Sequence, residues 1–241
     1  MCGRFGLLGD HQTMMNNFNT EVDLGKRFNW EILMPRYNVA PTDQIPVIFK
    51  KGTQRYVEPM RWGLIPFYAT TIKGRTALDK EGKSTPTLIN ARSETVDPNG
   101  KFGTPFKRGR CLIPAGGFYE WKKGPNGKTP YWIRLKNRLW LAFAGLYAWW
   151  KSLEGEWFLS CTIITTVPNQ IMEPIHARMP VILTEESYDL WLDPEIYDFS
   201  NLKELLAPYP SDKMEAYPVD GLVNNVKNDG SDLIKPCGTL P

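Results

Sequence analysis

Residues 110–121 read RCLIPAGGFYEW: aliphatic and β-branched side chains, then a Gly-Gly pair, then aromatic residues around a carboxylate. Segments of this composition, bounded by Gly, Pro or Asn, predict β-strands. The same pattern recurs in IPVIFK (45–50), QRYVEPMRWG (54–63), PYWIRL (130–135), RLWLAFAGLYAWW (138–150) and WFLSCTIITT (157–166). The chain also contains 20 Gly and 20 Pro, which favours many short strands joined by tight connections. The sequence therefore predicts a β-rich protein.

A short helix is predicted before these strands, in GDHQTMMNNFNTEV. Asp10 is its candidate N-cap, and Met14, Phe18 and Val22 follow one another at i, i+4 spacing, which places them on one helix face. His11 lies in the same helix, where we expect it to be exposed.

Two more helices are predicted late in the chain, in TEESYDLWLD with Thr184 as N-cap and in SNLKELLA with Ser200 as N-cap. Strands followed by helices, without regular βαβ alternation, indicate an α+β fold with mostly antiparallel sheets. No repeat or linker divides the chain, so we expect one domain over residues 1–241.

The composition is typical of a globular protein and argues against a membrane-spanning one. The 241 residues carry a formal net charge of +3 and are 42% hydrophobic, which is ordinary for a globular protein and permits an anionic partner. No apolar run approaches the roughly 18 residues of a membrane-spanning helix. The four cysteines are scattered without a C-x-x-C pair, so we expect reduced thiols, no metal site and a cytoplasmic location.

The N-terminal sequence MCGRF places a thiol beside the first residue. Removal of Met1 gives Cys2 a free α-amine next to its thiol, a 1,2-aminothiol. An aldehyde reacts with the amine to form an imine, and the thiol then closes a five-membered thiazolidine ring in an effectively intramolecular step. A buried structural cysteine is the alternative, but chain ends are usually exposed. If Met1 is retained, its peptide bond blocks the amine.

Two titratable residues are candidates for proton transfer. His176, in PIHARMP, follows a short helical pattern and precedes an apolar strand, where its side chain can face a cleft. Glu120 lies between Tyr119 and Trp121. Aromatic neighbours that exclude water would raise its pKa, so that it could both donate and accept a proton. The alternatives are a structural histidine and a strand-end carboxylate facing solvent.

Further residues suggest contact with nucleic acid. Asn90 and Arg92 alternate along an extended segment and share one face, where the amide can orient a reacting group. Arg92 and Arg4 suit phosphate oxygens. Phe67 and Tyr68 follow a proline and could stack on bases, as in single-strand binding surfaces.

Taken together, these residues lie in segments that resemble the SRAP (SOS response associated peptidase) family, the abasic-site processing proteins of bacteria and eukaryotes. The matching segments are MCGRF (1–5), RYNVAPT (36–42), RWGLIP (61–66), LINARSET (88–95), PAGGFYEWK (114–122), IHARMPVIL (175–183) and VNNVKNDGSDLI (223–234). They span nearly the whole chain in family order. The expected fold is a pseudo-barrel of twisted, mostly antiparallel sheets flanked by a few helices.

The resemblance implies a role for each site residue. Cys2 would link covalently to the aldehyde of an abasic site, Glu120 would be the acid/base group, His176 would assist ring opening and Asn90 would position the adduct. The residues implied to contact DNA or line its cleft are Arg4, Asn38, Pro41, Arg92 and Thr165, to which the residue pattern adds Phe67 and Tyr68 as stacking candidates. The expected partner is single-stranded DNA containing abasic sites, bound by a monomer without cofactor or metal, away from membranes and at the nucleoid after DNA damage.

The chain departs from the family pattern after WG-x-x-P. Bacterial relatives often carry two tryptophans there, whereas this chain has Phe67, Tyr68 and Ala69. The following segment ATTIKGRTALDKEGKSTP (69–86) is longer than the family pattern leads us to expect. Base stacking at this tip is therefore expected to be weaker or differently shaped.

Three functions are compatible with these residues. The first is covalent capture of abasic sites, with lyase activity as a possible side reaction of Glu120 and His176. The second is a cysteine peptidase in which Cys2 and His176 remove Met1 autocatalytically. The third is a non-covalent single-strand binding module, with strong salt dependence and no covalent product. The match between a 1,2-aminothiol and an aldehyde favours the first.

Overall fold

Strands dominate the computed structural model, which describes residues 2–25, 28–125, 127–196 and 199–237. The first eight strands are β1 (Phe5–Leu7), β2 (Val22–Asp23), β3 (Arg36–Val39), β4 (Gln44–Lys51), β5 (Gln54–Trp62), β6 (Thr71–Lys73), β7 (Thr76–Leu78) and β8 (Ser84–Pro86). The others are β9 (Asn90–Arg92), β10 (Arg110–Ala115), β11 (Gly117–Gly124), β12 (Gly127–Leu135), β13 (Leu141–Lys151), β14 (Trp157–Thr166), β15 (Met179–Pro180), β16 (Ile182–Leu183) and β17 (Met214–Pro218). The α-helices are α1 (His11–Asn17), α2 (Trp30–Leu33), α3 (Gly103–Arg108), α4 (Tyr188–Leu192) and α5 (Phe199–Glu204).

Two sheets form the body of the protein. One has the order β17-β12-β11-β1-β3, and all its neighbouring strands are antiparallel. The larger sheet has the order β15-β14-β13-β10-β4-β5-β2, with β16 on β13 and β9 on β14. An additional parallel pairing between β14 and β5 closes its central strands into a ring. The predicted α+β fold of mostly antiparallel sheets in a pseudo-barrel is confirmed.

The stretch 110–121 connects the two sheets. β10 lies in the larger sheet and β11 in the smaller one, and the chain passes from one to the other at Gly116. A Cβ at Gly116 would lie 2.2 Å from Cγ of Leu8, and a Cβ at Gly117 would lie 2.4 Å from Cζ2 of Trp132. These distances are far inside van der Waals contact, so the Gly-Gly pair is what lets the chain cross between closely packed layers.

The main hydrophobic core lies between the sheets and brings the N-terminal strand against the barrel. Phe5 of β1 packs against Trp62 and Phe143, with ring centroids 5.1 and 5.8 Å away. Burying side chains of this size contributes roughly 1.5–3 kcal/mol each. Strand β1 is therefore held firmly although it lies at the beginning of the chain.

The segment 69–86 forms a small sheet of its own. Strands β6, β7 and β8 pair in that order, and each pair is antiparallel. An isolated bridge pairs Leu64 with Leu88, which lie before and after this segment in the chain.

The first predicted helix is present but shorter than expected. Asp10 caps α1 by accepting a hydrogen bond from the Thr13 backbone N–H at 2.7 Å, as predicted. The helix ends at Asn17, Phe18 is its C-cap, and Val22 lies in β2, so the prediction that Val22 belongs to the helix is wrong.

Three smaller expectations are also corrected. His11 is half-buried and not exposed, because its ring stacks on Trp30 with a centroid separation of 4.1 Å. Thr184 precedes a 3₁₀ turn, Glu185–Ser187, without a side-chain capping bond, and α4 begins only after that turn. Ser200 lies inside α5, which begins at Phe199. Within the described ranges, no helix has the length and apolar character needed to cross a membrane.

Candidate functional site

The N-terminal residues run alongside β11 and are buried by it. Phe5 lies opposite Phe118, and the Tyr119 backbone N–H donates to the Arg4 carbonyl oxygen at 2.9 Å. This pairing carries Cys2 into the main core, where its side chain is fully buried. The expectation of an exposed terminal thiol is corrected: sheet pairing and core packing outweigh the usual freedom of a chain end.

Burial also sets the chemistry of the Cys2 thiol. Loss of solvation raises its pKa strongly, and the nearby Glu120 carboxylate raises the pKa further, whereas the Arg4 backbone N–H acts in the opposite direction. The thiol is therefore protonated at neutral pH. The pairing of residues 4–6 with residues 117–119 runs the N-terminal segment along β11, the strand that carries Glu120.

Glu120 is enclosed on β11. Only 3% of its surface is exposed, which excludes the alternative of a carboxylate turned to solvent. Burial raises the pKa of Glu120, and the neighbouring His176 partly offsets that rise. The predicted desolvated acid is therefore present in the structure.

His176 faces Glu120 from the opposite side of the site. Its Nε2 lies 3.9 Å from Oε2 of Glu120. Its Nδ1 lies 3.0 Å from the Arg178 backbone N–H and accepts from it when that ring nitrogen carries no proton. The Arg178 carbonyl oxygen, 3.1 Å from the same Nδ1, can accept from the ring when it is protonated there.

Arg178 holds the segment that carries His176, and the sequence reasoning missed it. Its guanidinium is paired with both carboxylate oxygens of Glu94, at 2.9 Å for one of them, and donates to the Thr165 carbonyl oxygen at 2.6 Å. The hydrogen bond from Arg178 lowers the pKa of Glu94. The signal available in the sequence was an arginine two residues after the histidine in IHARMP.

Asn90 lies on β9, which pairs in parallel with β14 beside the His176 segment. Both polar atoms of its amide are buried and have no hydrogen-bond partner among the residues that the structure describes. Its neighbour Ile89 is anchored, because its carbonyl accepts from Nε1 of Trp62 at 3.0 Å. The asparagine therefore sits on a fixed backbone with unused hydrogen-bonding capacity. On the same strand, Arg92 is exposed.

Two of the predicted DNA contacts are internal. Thr165 is fully buried and donates to the Ala91 carbonyl oxygen at 3.3 Å. Asn38 is 1% exposed; its Oδ1 accepts from Arg4 at 2.7 Å, and its Nδ2 faces the carbonyl oxygens of Val223, Asn225 and Asn228. Both residues hold backbone and arginine side chains in place behind the surface.

Arg4 and Pro41 reach a cleft of about 500 Å³ next to the N-terminal strand. Arg4 also donates to the Val223 carbonyl oxygen at 2.8 Å and lies 5.8 Å from the ring centroid of Trp121. The cleft is lined by Gly3, Arg4, Arg36, Ala40, Pro41, Thr42, Asp43, Arg75, Trp121 and Val226. Two of its lining residues, Gly3 and Arg4, directly follow Cys2 in the chain, so this basic cleft adjoins the N-terminal segment.

Phe67 and Tyr68 form an exposed aromatic tip away from that cleft. The Phe67 side chain is 90% exposed, and its ring meets that of Tyr68 edge to face at 5.4 Å. The tip borders a separate, mostly apolar cleft of about 290 Å³, which Leu88 and Trp149 also line. A large aromatic side chain held so fully in solvent suits stacking on another molecule.

Comparison with known proteins identifies the family. The chain is 43% identical over 236 residues to the abasic site processing protein YoqW of Bacillus subtilis, covering 98% of this chain and 99% of the relative. It is 29% identical to the abasic site processing protein YedK of Escherichia coli, covering 98% of this chain and 100% of the relative. A crystal structure from Bacteroides thetaiotaomicron superposes with a TM-score of 0.83 at 25% identity, covering 98% of this chain and 100% of that one. Since the family model described as SOS response associated peptidase (SRAP) matches residues 1–226, the chain belongs to the SRAP family.

Proposed function

We propose that this protein processes abasic sites in DNA by capturing them covalently through Cys2, once Met1 has been removed. The observation that carries the proposal is the pairing of the N-terminal strand with β11, the strand of Glu120, whose carboxylate lies 3.9 Å from Nε2 of His176. A potential 1,2-aminothiol thus lies next to two groups that can transfer protons. The relatives YoqW and YedK are named abasic site processing proteins, which supports the same substrate.

The proposed reaction needs no oxidant. The freed amine of Cys2 attacks the ring-opened sugar aldehyde, and water leaves to give an imine. The thiol sulfur then bonds to the imine carbon, and the thiol proton ends on the nitrogen of the thiazolidine. Glu120, whose pKa burial raises, is suited to donate the proton that the departing water requires. His176 can exchange that proton through Nε2.

The remaining site residues have supporting roles in this proposal. Asn90 offers its unused amide to the adduct. Arg4, Pro41 and Arg92 contact the strand, while Asn38 and Thr165 act by holding their neighbours. Phe67 and Tyr68 stack on bases at the edge of the bound DNA.

A denaturing gel tests the proposal directly. Purified protein with Met1 removed should give a slower band with a single-stranded oligonucleotide containing one abasic site, and none with an intact oligonucleotide. Cys2→Ala should abolish the band. Cys237→Ala is the matched control, because it removes the exposed cysteine and should leave the yield unchanged. An equal adduct from Cys2→Ala would refute the proposal.

Self-processing is the second candidate, and the family description as a peptidase favours it. Here Cys2 and His176 would cleave the bond after Met1 and so prepare the amine. Mass spectrometry of protein made under inhibition of the host methionine aminopeptidase tests this idea. Trimmed wild type with untrimmed His176→Ala would support it, and untrimmed wild type would refute it.

The proposal also covers the domain organisation, oligomeric state and location of the protein. We propose a single domain over residues 1–241, supported by a main core that draws side chains from Cys2 to Met214. We further propose a monomer that acts on DNA in the cytoplasm and at the nucleoid. Size-exclusion chromatography with light scattering tests the monomer, and a dimer mass would contradict it.

A further inference from the structure

The small sheet formed by residues 69–86 contributes a side chain to the cleft beside the N-terminal strand. Its first hairpin pairs Lys73 with Thr76, leaving a two-residue turn of Gly74 and Arg75. Gly74 has φ +53°, a conformation that glycine adopts without strain. Arg75 is exposed, and it lines the same cleft as Arg4.

The hairpin tip is fixed in place from both sides. Arg61 donates to the Gly74 carbonyl oxygen and also, at 3.1 Å, to the carbonyl oxygen of Thr42 on the other wall of the cleft. The Thr87 backbone N–H donates to the Arg75 carbonyl oxygen at 2.9 Å. One arginine therefore ties the two walls together, and the backbone of Arg75 is held at a defined position above the cleft.

The charges in the cleft are not balanced. Its lining contains three arginines and one aspartate. Arg36 is compensated by Asp43 at 2.9 Å and by Asp229 at 3.2 Å. Arg75 forms no ion pair with any residue that the structure describes, and Arg4 uses one nitrogen, Nη1, for its hydrogen bonds to the protein.

Arg4 and Arg75 thus line one cleft, and neither forms an ion pair with a residue that the structure describes. Burial lowers the pKa of Arg4, Tyr119 and Asp43 oppose that change, and the charge of Arg75 lowers it further. The positive charges of Arg4 and Arg75 repel each other, and an anion bound between them would replace that repulsion with attraction. A phosphodiester fits this arrangement, because guanidinium groups bind phosphate oxygens in a planar, bidentate geometry.

We propose that Arg75 and Arg4 form a phosphate subsite, in which the 69–86 sheet clamps the backbone of the DNA strand against the cleft beside Cys2. The proposal rests on the proposed action on DNA and adds to it a binding residue in a segment longer than the family pattern predicts. Arg75 is a binding residue and takes no part in the chemistry at Cys2. Its removal should weaken the binding of intact single-stranded DNA.

Fluorescence anisotropy with an intact single-stranded oligonucleotide separates this subsite from the covalent chemistry. Arg75→Ala should bind more weakly by about tenfold or more, as expected for loss of one charge-assisted contact. The slope of log affinity against log salt should fall by about 0.7, the value for one phosphate contact on single strands. Arg75→Lys should bind with intermediate affinity, since it keeps the charge but loses the bidentate geometry.

Lys73→Ala is the matched control. It removes one positive charge from the same hairpin, but Lys73 does not line the cleft. Its affinity should remain within about twofold of wild type. Equal losses for Lys73→Ala and Arg75→Ala, or no loss for Arg75→Ala, would overturn the proposal. If wild type forms no adduct with abasic DNA while the Arg75 effect on intact DNA persists, the covalent function fails and the subsite stands.

Discussion

Nε2 of His176 lies 3.9 Å from Oε2 of Glu120, although 56 residues separate them in the chain. The two side chains come from different parts of the fold: Glu120 from β11 and His176 from the turn before β15. Their separation is longer than a direct hydrogen bond. This pair is the point at which the proposed chemistry can be tested most directly.

Replacing Glu120 by Gln should slow formation of the adduct. The amide keeps the shape of the side chain but cannot transfer a proton, and general acid–base groups typically contribute on the order of 100-fold or more to a rate. Single-turnover gels at saturating abasic DNA measure this rate. Binding of intact DNA, measured by anisotropy, should stay within about twofold of wild type. An unchanged adduct rate would remove Glu120 from the mechanism.

Glu120→Gln should also change how stability depends on pH. Because burial raises the pKa of Glu120 in the folded state, its favourable contribution is complete below the ordinary value of 4.5 and is lost as pH rises through the raised folded pKa. The variant should therefore gain stability relative to wild type as pH increases from 4.5 towards neutrality. Urea unfolding at a series of pH values measures the difference.

Glu94→Gln is a control for which the pH dependence of stability should have the opposite sign. The hydrogen bond from Arg178 lowers the pKa of Glu94, so its contribution is present above 4.5 and disappears as pH falls through the lowered folded pKa. Its side chain is half exposed, so the effect should be small. A Glu120→Gln curve that runs parallel to wild type at all pH values would contradict the assignment of a raised pKa.

Arg178→Met should destabilise the protein and misplace His176. The substitution removes the pair with Glu94 and the bond to the Thr165 carbonyl oxygen, and the second loss should cost more because Thr165 is fully buried. We expect a loss of about 1–3 kcal/mol in the free energy of unfolding. Urea denaturation measures it, and the pH profile of adduct formation should change because the His176 turn loosens.

Glu94→Gln again supplies the comparison, since it breaks the partly exposed ion pair alone. Its cost should be below about 1 kcal/mol. If the two variants lose equal stability, the bond to Thr165 contributes nothing measurable, and the positioning role of Arg178 is wrong.

Asn38→Ala should loosen the segment of residues 221–237 near the C-terminus. The amide of Asn38 contacts the carbonyl oxygens of Val223, Asn225 and Asn228, and it also orients Arg4. Each buried group left unsatisfied costs about 1–3 kcal/mol. Limited proteolysis should cleave the variant within residues 221–237 faster than wild type.

Asn16→Ala, on the exposed face of α1, is the matched substitution, because it removes a hydrogen bond to Gln12 at the surface. It should shift the free energy of unfolding by less than about 0.5 kcal/mol. Equal protease sensitivity of the two variants would show that Asn38 does not hold the segment.

Much of the fold and of the site was predictable from local patterns. Strand runs such as 157–166 match β14, because β-branched and aromatic side chains suit a pleated sheet whatever their distant partners are. Asp10 was identifiable as a helix cap, since its hydrogen bond reaches only three residues along the chain. Cys2, Glu120 and His176 were identifiable by their chemistry and by the resemblance of the surrounding motifs to a family.

Other features depend on partners far away in sequence, and only the tertiary structure decided them. Cys2 is buried because β1 pairs with β11, more than 100 residues later. Asn38 and Thr165 lie behind the surface because carbonyl oxygens from other segments and the Arg178 side chain surround them. Arg75 reaches the cleft because Arg61 fixes the hairpin above it. Sequence patterns report local backbone preference and side-chain chemistry, whereas solvation and charge pairing arise only when separate segments pack together.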